Sequence, residues 1–212
     1  DGIRSNIAFH LNGDRPAHAG YGGVLALSDP VEGHPGTGTG TEYWGPGERM
    51  GLFDLKAGRK YWFYMKNENA PEDSATITRA QSKERMRGWP DAVMAAVDAT
   101  PDDRLIPFSI HAKPAPRHIA QGRIILLGDA AHAMEPNMGQ GACQAIEDAI
   151  ALGQIARVTP PEAIADRYTK LRLKRARLFV GMSREGSLIV HRLPQSVRPV
   201  AQAMMRLMFP MV

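Results

Sequence analysis

The stretch ILLGDAAHAMEPNMGQG, residues 125–141, gathers residue types able to hold a charged, hydroxyl-rich ligand. An apolar run ends in Gly128 and Asp129, passes Pro136, and finishes in Gly139, Gln140 and Gly141. A buried strand ending in Gly-Asp delivers a carboxylate to the carboxyl edge of a sheet, where α/β folds bind ligands. An acid there can accept hydrogen bonds from ribose or ribityl hydroxyls. The segment MGQGA, residues 138–142, then opens a helical pattern, so unpaired N–H groups and a positive dipole end favour negative charge. Glycines at 139 and 141 let a flat ring or a phosphate approach the backbone without meeting a Cβ. A tight strand–helix turn with no ligand uses the same Gly-x-Gly spacing. It is the combination with Gly-Asp and Pro136 that favours a ligand site.

Neighbouring reactive side chains point elsewhere. Cys143 falls in the first turn of the helix and reads as a small buried residue, with no His–Asp arrangement beside it to support a catalytic thiol. His132 has no second His or Cys near it, which argues against a metal site. The basic run RYTKLRLKRARL, residues 167–178, carries no interleaved aromatics for base stacking and reads as a solvated helix face. Neither a nucleic-acid nor a membrane partner is inferred from charge.

The elements that must position these groups divide the chain. YGGVLAL (21–27), RMGLFDL (49–55), KYWFYMK (60–66) and RLIPFSIHA (104–112) read as strands. HPGTGTGTEYWGPGE reads as a loop around a short strand. Helical patterns follow at 76–88 and 90–99, the second with Pro90 near its first turn. GRIILLGD is a continuous apolar run, as for a strand buried on both faces. Gly141–Arg157 reads as a helix with Ala142, Ile146, Ala149, Ile150 and Gly153 on one apolar face. A further helix starts at Pro160-Pro161, and residues 192–209 read as a loop and a short amphipathic helix.

The 212 residues suffice for one large or two small domains. No apolar run approaches the roughly 20 residues of a spanning helix, and no leader opens the chain. A single cysteine excludes an internal disulfide and fits a reducing cytoplasm. The start at Asp1-Gly2, without a methionine, looks like a piece of something longer.

GDAAHAMEPNMGQGACQAIEDAIAL resembles the second FAD-binding motif of single-component flavin-dependent aromatic hydroxylases, and DGIRS resembles their Asp-Gly motif. The resemblance, covering nearly the whole chain, is to the branch with urate hydroxylase, salicylate hydroxylase and zeaxanthin epoxidase. It implies an α/β fold: an α+β substrate sheet plus part of a Rossmann-like FAD-binding domain, incomplete without an N-terminal segment. Residues 1–20 would be the tail of the FAD domain, 21–115 the substrate sheet, 116–160 the FAD domain continued and 161–212 C-terminal helices. Asp129, after Gly128, would contact the ribityl or ribose chain. Pro136 and the segment Gly139, Gln140, Gly141, Ala142 and Cys143 would lie against the isoalloxazine ring. Asp1 and Gly2 would lie near the pyrophosphate.

The resemblance further implies FAD as cofactor and NAD(P)H as co-substrate. Hydroxylation or epoxidation of an aromatic or polycyclic small molecule would proceed through a flavin C4a-hydroperoxide, so no catalytic side chain is assigned. Other flavin oxidoreductase activities on this scaffold (dehydrogenase, reductase or halogenase) remain open, as does a non-catalytic, partner-binding chain. The family's Gly-x-Gly-x-x-Gly unit is lacking: GTGTG at 36–40 has its third glycine one position early and follows no buried strand. The missing N-terminal segment is therefore an expected partner, FAD binding by this chain alone is expected to be weak or nil, and self-association is possible.

Relatives like urate hydroxylase place a substrate-contacting arginine twelve residues before a tyrosine across a hairpin, a spacing that Arg49 and Tyr61 match. With KAG as a three-residue loop and Gly58 left-handed, 55 faces 59, and Arg49, Phe53, Tyr61, Phe63 and Met65 share one face. Arg49, Tyr61 and Phe63 would then line an aromatic, cationic surface over the flavin. A two-residue loop would separate Arg49 from Tyr61. On the plainer reading Tyr61 and Trp62 are ordinary core and Arg49 is solvated.

Overall fold

A computed structural model of the chain describes residues 1–33, 38–70, 77–192 and 196–197. Part of the GTGTG segment, the start of the 76–88 helical pattern and nearly all of the expected C-terminal helix lie outside the described residues. The chain forms two compact units: Asp1–Ala19 with His111–Ile189, and Gly20–Ile110 with Val190–Val212. The fold mixes helices with an antiparallel sheet.

The second unit is built on a five-stranded sheet in the order β2-β3-β4-β1-β5. Its strands are β1 (Ala17–Leu27), β2 (Gly40–Gly45), β3 (Glu48–Asp54), β4 (Lys60–Asn67) and β5 (Leu105–Ala112). Alternation puts Met50, Leu52, Trp62 and Tyr64 on one face. There they pack into a core with Val93, Ala96 and Val97 of a short helix, Asp91–Asp98, begun by Pro90. The buried Trp62 indole N–H is satisfied by Thr100 Oγ1 at 2.9 Å. The preceding helix, Arg79–Arg85, starts at a reciprocal cap between Thr78 and Gln81.

The β3–β4 hairpin closes on a three-residue loop, with Leu55 N–H donating to Arg59 O at 2.9 Å and Phe53 paired with Tyr61. Gly58 is left-handed (φ 71°), as expected. So is Ala57 (φ 59°), which carries no glycine signal and must be imposed by the loop closure. Arg49, Phe53, Tyr61, Phe63 and Met65 therefore share the face opposite the core.

The first unit contains α1 (Asn6–Asn12), a two-residue hairpin of β6 (Ala120–Gln121) and β7 (Ile124–Ile125), and three further helices. With the second unit's helices taken as α2 and α3, these are α4 (Gly128–His132), α5 (Gly141–Val158) and α6 (Pro161–Ser187). Ser5 caps α1, accepting from Ala8 N–H at 3.0 Å while its hydroxyl donates to Asp1 at 2.9 Å. The core is Ala8, Ile119, Leu126, Ala131, Ile155 and Tyr168.

Two expectations are corrected here, on GRIILLGD and on Cys143, and the buried face of α5 is located. GRIILLGD is not a strand buried on both faces: only Ile124 and Ile125 pair, with Gln121 and Ala120, and Ile124 is exposed. A buried strand needs neighbours along both edges, and the described residues supply a single short one. The apolar face assigned to α5 points outward, with Ile146 60% and Ile150 55% exposed. Its buried face is Gln144, Asp148, Ala151 and Ile155. Cys143, expected buried, is exposed because it falls on the outer side of that same helix.

Among the described residues no helix is long and apolar enough to cross a membrane. Gly23 lies on β1 opposite Met65, where a Cβ would overlap the Tyr64 carbonyl. Gly23→Ala is expected to cost about 3 kcal/mol, because two backbones must separate. Urea unfolding measures this, and a loss of only a few tenths would contradict the close approach.

Candidate functional site

A cleft of about 640 Å³ in the first unit is lined by Asp129, Met134, Glu135, Pro136, Gly139, Gly141, Ala142 and Ala145. That volume suits a small-molecule site. Five of the residues singled out from sequence thus meet in one concavity. Gly128 (φ 54°) turns the chain from Leu127 into α4 and leaves Asp129 exposed at the cleft wall. A turn at Pro136–Met138 follows and ends on left-handed Gly139 (φ 62°), whose N–H donates to Pro136 O at 3.0 Å. Gln140 then begins α5 without a side-chain cap, and the first intrahelical bond is Gln144 N–H to Gln140 O at 2.8 Å. The amides of Gly141, Ala142 and Cys143 precede that bond and form the positive end of an 18-residue helix. A Cβ at 139 or 141 would meet nothing within 4 Å, so bare backbone borders open space there. The Gly2–Arg4 turn packs against α4, which places Asp1 and Gly2 beside this segment.

Sequence reasoning missed what holds the turn. Asp148, 1% exposed, accepts from Gly128 N–H (2.9 Å) and His132 Nε2 (2.7 Å) through one oxygen. Its other oxygen accepts from Arg172 Nε at 2.7 Å. Arg172 also donates to Gln144 Oε1 (2.9 Å) and Glu147 (2.6 Å), and Arg175 donates to Glu147. The basic run is therefore not simply solvated: Arg172, Tyr168 and Ala176 are buried, because α6 turns that side onto α5. A usable signal existed, since Gln144, Asp148, Ala151 and Ile155 also recur at helical spacing.

Burial alone would push the Asp148 carboxyl up, but the bonds from His132, Gly128 and Arg172 together hold it below its ordinary value. Glu147 is pulled down to about 2, first by Arg175 and then by Arg172. Lys113 adds two tethers to the same segment, its Nζ donating to Ala130 O (3.3 Å) and its N–H to Ala133 O (3.1 Å).

In the second unit, Arg49 is 4% exposed rather than solvated. Its guanidinium lies 3.5 Å from Glu42 and 5.2 Å from the Phe63 ring centre. Phe53, Tyr61 and Phe63 form a cluster of tilted rings. Gly51 makes room for it, since a Cβ there would overlap the Phe53 and Phe63 rings. Burial pushes the Tyr61 hydroxyl up, keeping it neutral and able to donate.

Replacing one partner of a buried ion pair leaves an uncompensated charge, so Arg172→Leu is expected to cost about 3–5 kcal/mol. Arg175→Leu, which breaks a partly exposed pair, should cost under about 1 kcal/mol; equal costs in denaturant unfolding would contradict the network. The pH dependence has a definite sign. With its folded pKa depressed, Asp148 contributes stability above its unfolded value of about 3.9 and loses it as pH falls through the lower folded value. Asp148→Asn should therefore flatten the acid limb of thermal stability below about pH 4, and an unchanged acid limb would refute it.

Comparison with known proteins places the chain in a family. Residues 1–183 match the model of the FAD binding domain family. The chain is 38% identical over 188 residues to aurachin C monooxygenase/isomerase of Stigmatella aurantiaca, covering 86% of this chain and 48% of that protein. It is 28% identical over 204 residues to the chloroplastic zeaxanthin epoxidase of an Oncidium hybrid cultivar, covering 89% of this chain and 31% of that protein. The crystal structure of Klebsiella pneumoniae HpxO with FAD and uric acid superposes with a TM-score of 0.84 at 28% identity, over 97% of this chain and 54% of that one. The chain thus spans about half or less of the length of these relatives. A carboxylate, a proline turn and an uncapped helix start lie around one cleft, and the family match over residues 1–183 shows that this chain belongs to the FAD binding domain family.

Proposed function

We propose that the chain forms the substrate sheet and the later cofactor-binding part of an FAD-dependent monooxygenase that consumes NAD(P)H to hydroxylate or epoxidise an aromatic or polycyclic small molecule. Residues 1–20 and 116–160 would serve the cofactor and 21–115 the substrate. A dinucleotide-binding unit carrying Gly-x-Gly-x-x-Gly would complete the site for the ADP half. The observation that carries the reading is the open cleft beside Pro136, bordered by glycine backbone and uncapped amides. A planar ring with a polar edge and a polyol tail fits that chemistry.

Bound FAD would supply hydride acceptance and oxygen activation. This chain's residues bind and orient. Asp129 accepts hydrogen bonds from the ribityl or ribose hydroxyls, and Gly128 sets the turn that presents it. Pro136 fixes its own φ and stiffens the wall against which the ring rests. The amides of Gly141, Ala142 and Cys143, with Gln140 as their uncapped start, stabilise negative charge on the ring's carbonyl edge. Asp1 and Gly2 brace the segment from the Gly2–Arg4 turn. On the sheet, Phe63 and Tyr61 offer aromatic surface to a flat substrate, and the Arg49 cation offers a fixed charge to a polar or anionic substituent.

Riboflavin, which carries the ring and ribityl chain without the ADP half, tests the cleft directly. Ligand-detected NMR should show saturable binding, and Asp129→Ala should weaken it about 10–100-fold by removing a charge-assisted hydrogen bond. Binding that is unaltered in Asp129→Ala would contradict the reading. On the substrate side, Arg49→Lys keeps the charge and loses the planar fork. In the assembled enzyme it should raise KM for an aromatic substrate about tenfold with riboflavin affinity unchanged. An unchanged KM would remove Arg49 from the substrate site.

A further inference from the structure

We propose that Asp148 is a positioning residue for the Asp129 carboxylate, acting through the Gly128 N–H and the His132 ring; the assignment rests on the reading of the cleft as a flavin site. The short helix α4 carries Asp129 and has five residues. A helix that short does not hold its own geometry, because nucleation consumes more conformational freedom than so few hydrogen bonds return. Its orientation must come from outside contacts, and both of its ends converge on one atom. Gly128 N–H at the first residue and His132 Nε2 at the last meet the same Asp148 oxygen, at 2.9 and 2.7 Å. Asp129, exposed between them, takes its aim from this bracketed backbone.

The bracket is itself fixed. Arg172 Nε holds the second Asp148 oxygen at 2.7 Å, and Arg172 Nη2 is held by the Gln144 carbonyl (3.1 Å) and amide oxygen (2.9 Å). The carboxylate therefore cannot rotate without breaking a charge-assisted bond at each oxygen. Gly128 is also seated on α5 by packing, since an added Cβ would lie 3.2 Å from Ala145 Cβ, one helical turn from Asp148. The other His132 nitrogen, Nδ1, is buried with no hydrogen-bond partner among the described residues. Asp148 is thus the ring's one polar anchor there. A histidine whose role was only to fill the core would be replaceable by an apolar residue, with no buried Nδ1 left unsatisfied.

A double-mutant cycle on the full chain, read as the riboflavin dissociation constant, separates positioning from simple stabilisation. Asp129→Ala and Asp148→Asn should each weaken riboflavin about 10–100-fold. The double variant should be no weaker than Asp129→Ala by more than about twofold, because the two act through one contact. Full affinity in Asp148→Asn, or losses that multiply in the double variant, would overturn the assignment while leaving the flavin reading intact. Unchanged affinity in Asp129→Ala would overturn both.

Should Asp148→Asn fail to fold, His132 supplies a second route. His132→Gln can still donate to Asp148 and should keep riboflavin affinity within about threefold, whereas His132→Leu should lose about 10-fold or more. Equal affinities for the two, whatever their melting temperatures, would overturn the proposal.

Discussion

One buried carboxylate, that of Asp148, organises the helices of the first unit. It is 1% exposed and accepts from a backbone amide on α4, an imidazole on α4 and a guanidinium on α6. An ionised group so deep is tolerable only when every lone pair has a partner. Satisfying it forces three helices into register. The same demand accounts for the inverted polarity of α5. Gln144 and Asp148 face inward because Arg172 must be met there, and Ile146 and Ile150 are left outward.

The second unit solves a different problem by different means. One face of its sheet is closed by helices, with Trp62 and Tyr64 fully buried. The opposite face trades side chains for space at Gly51, so that the Phe53 and Phe63 rings can lean across the strand. The three-residue loop after Leu55 sets the register that puts Arg49 on this face, and Ala57 accepts a left-handed conformation to close it. A shift of one residue would send the arginine into the core.

Much of this was legible before any coordinates. The Gly-Asp, proline and glycine spacing of residues 128–141 located the cleft, because those residue types act through backbone geometry that is local in sequence. The hairpin register was legible for the same reason. What escaped was tertiary. The partnership of His132, Asp148 and Arg172 joins residues 16 to 40 positions apart, and no local pattern ties Arg172 to the first two. Helical periodicity is legible on α5, but two faces recur at that spacing, and periodicity alone does not say which of them is buried. The polar face won because its charges had partners. GRIILLGD suggests more strand than forms, because hydrophobicity indicates a preference for burial without supplying neighbours to pair with.

The central claim is that the backbone running from Asp129 through Pro136 into the start of α5 is a seat for a flavin ring. Amide chemical-shift mapping of the 15N-labelled chain during riboflavin titration tests it most directly. The account predicts shifts concentrated at Asp129, Gly139, Gly141, Ala142 and Cys143, growing together along one binding curve. Shifts that bypass these amides, or that cluster on the exposed Ile146–Ile150 face of α5, would contradict it.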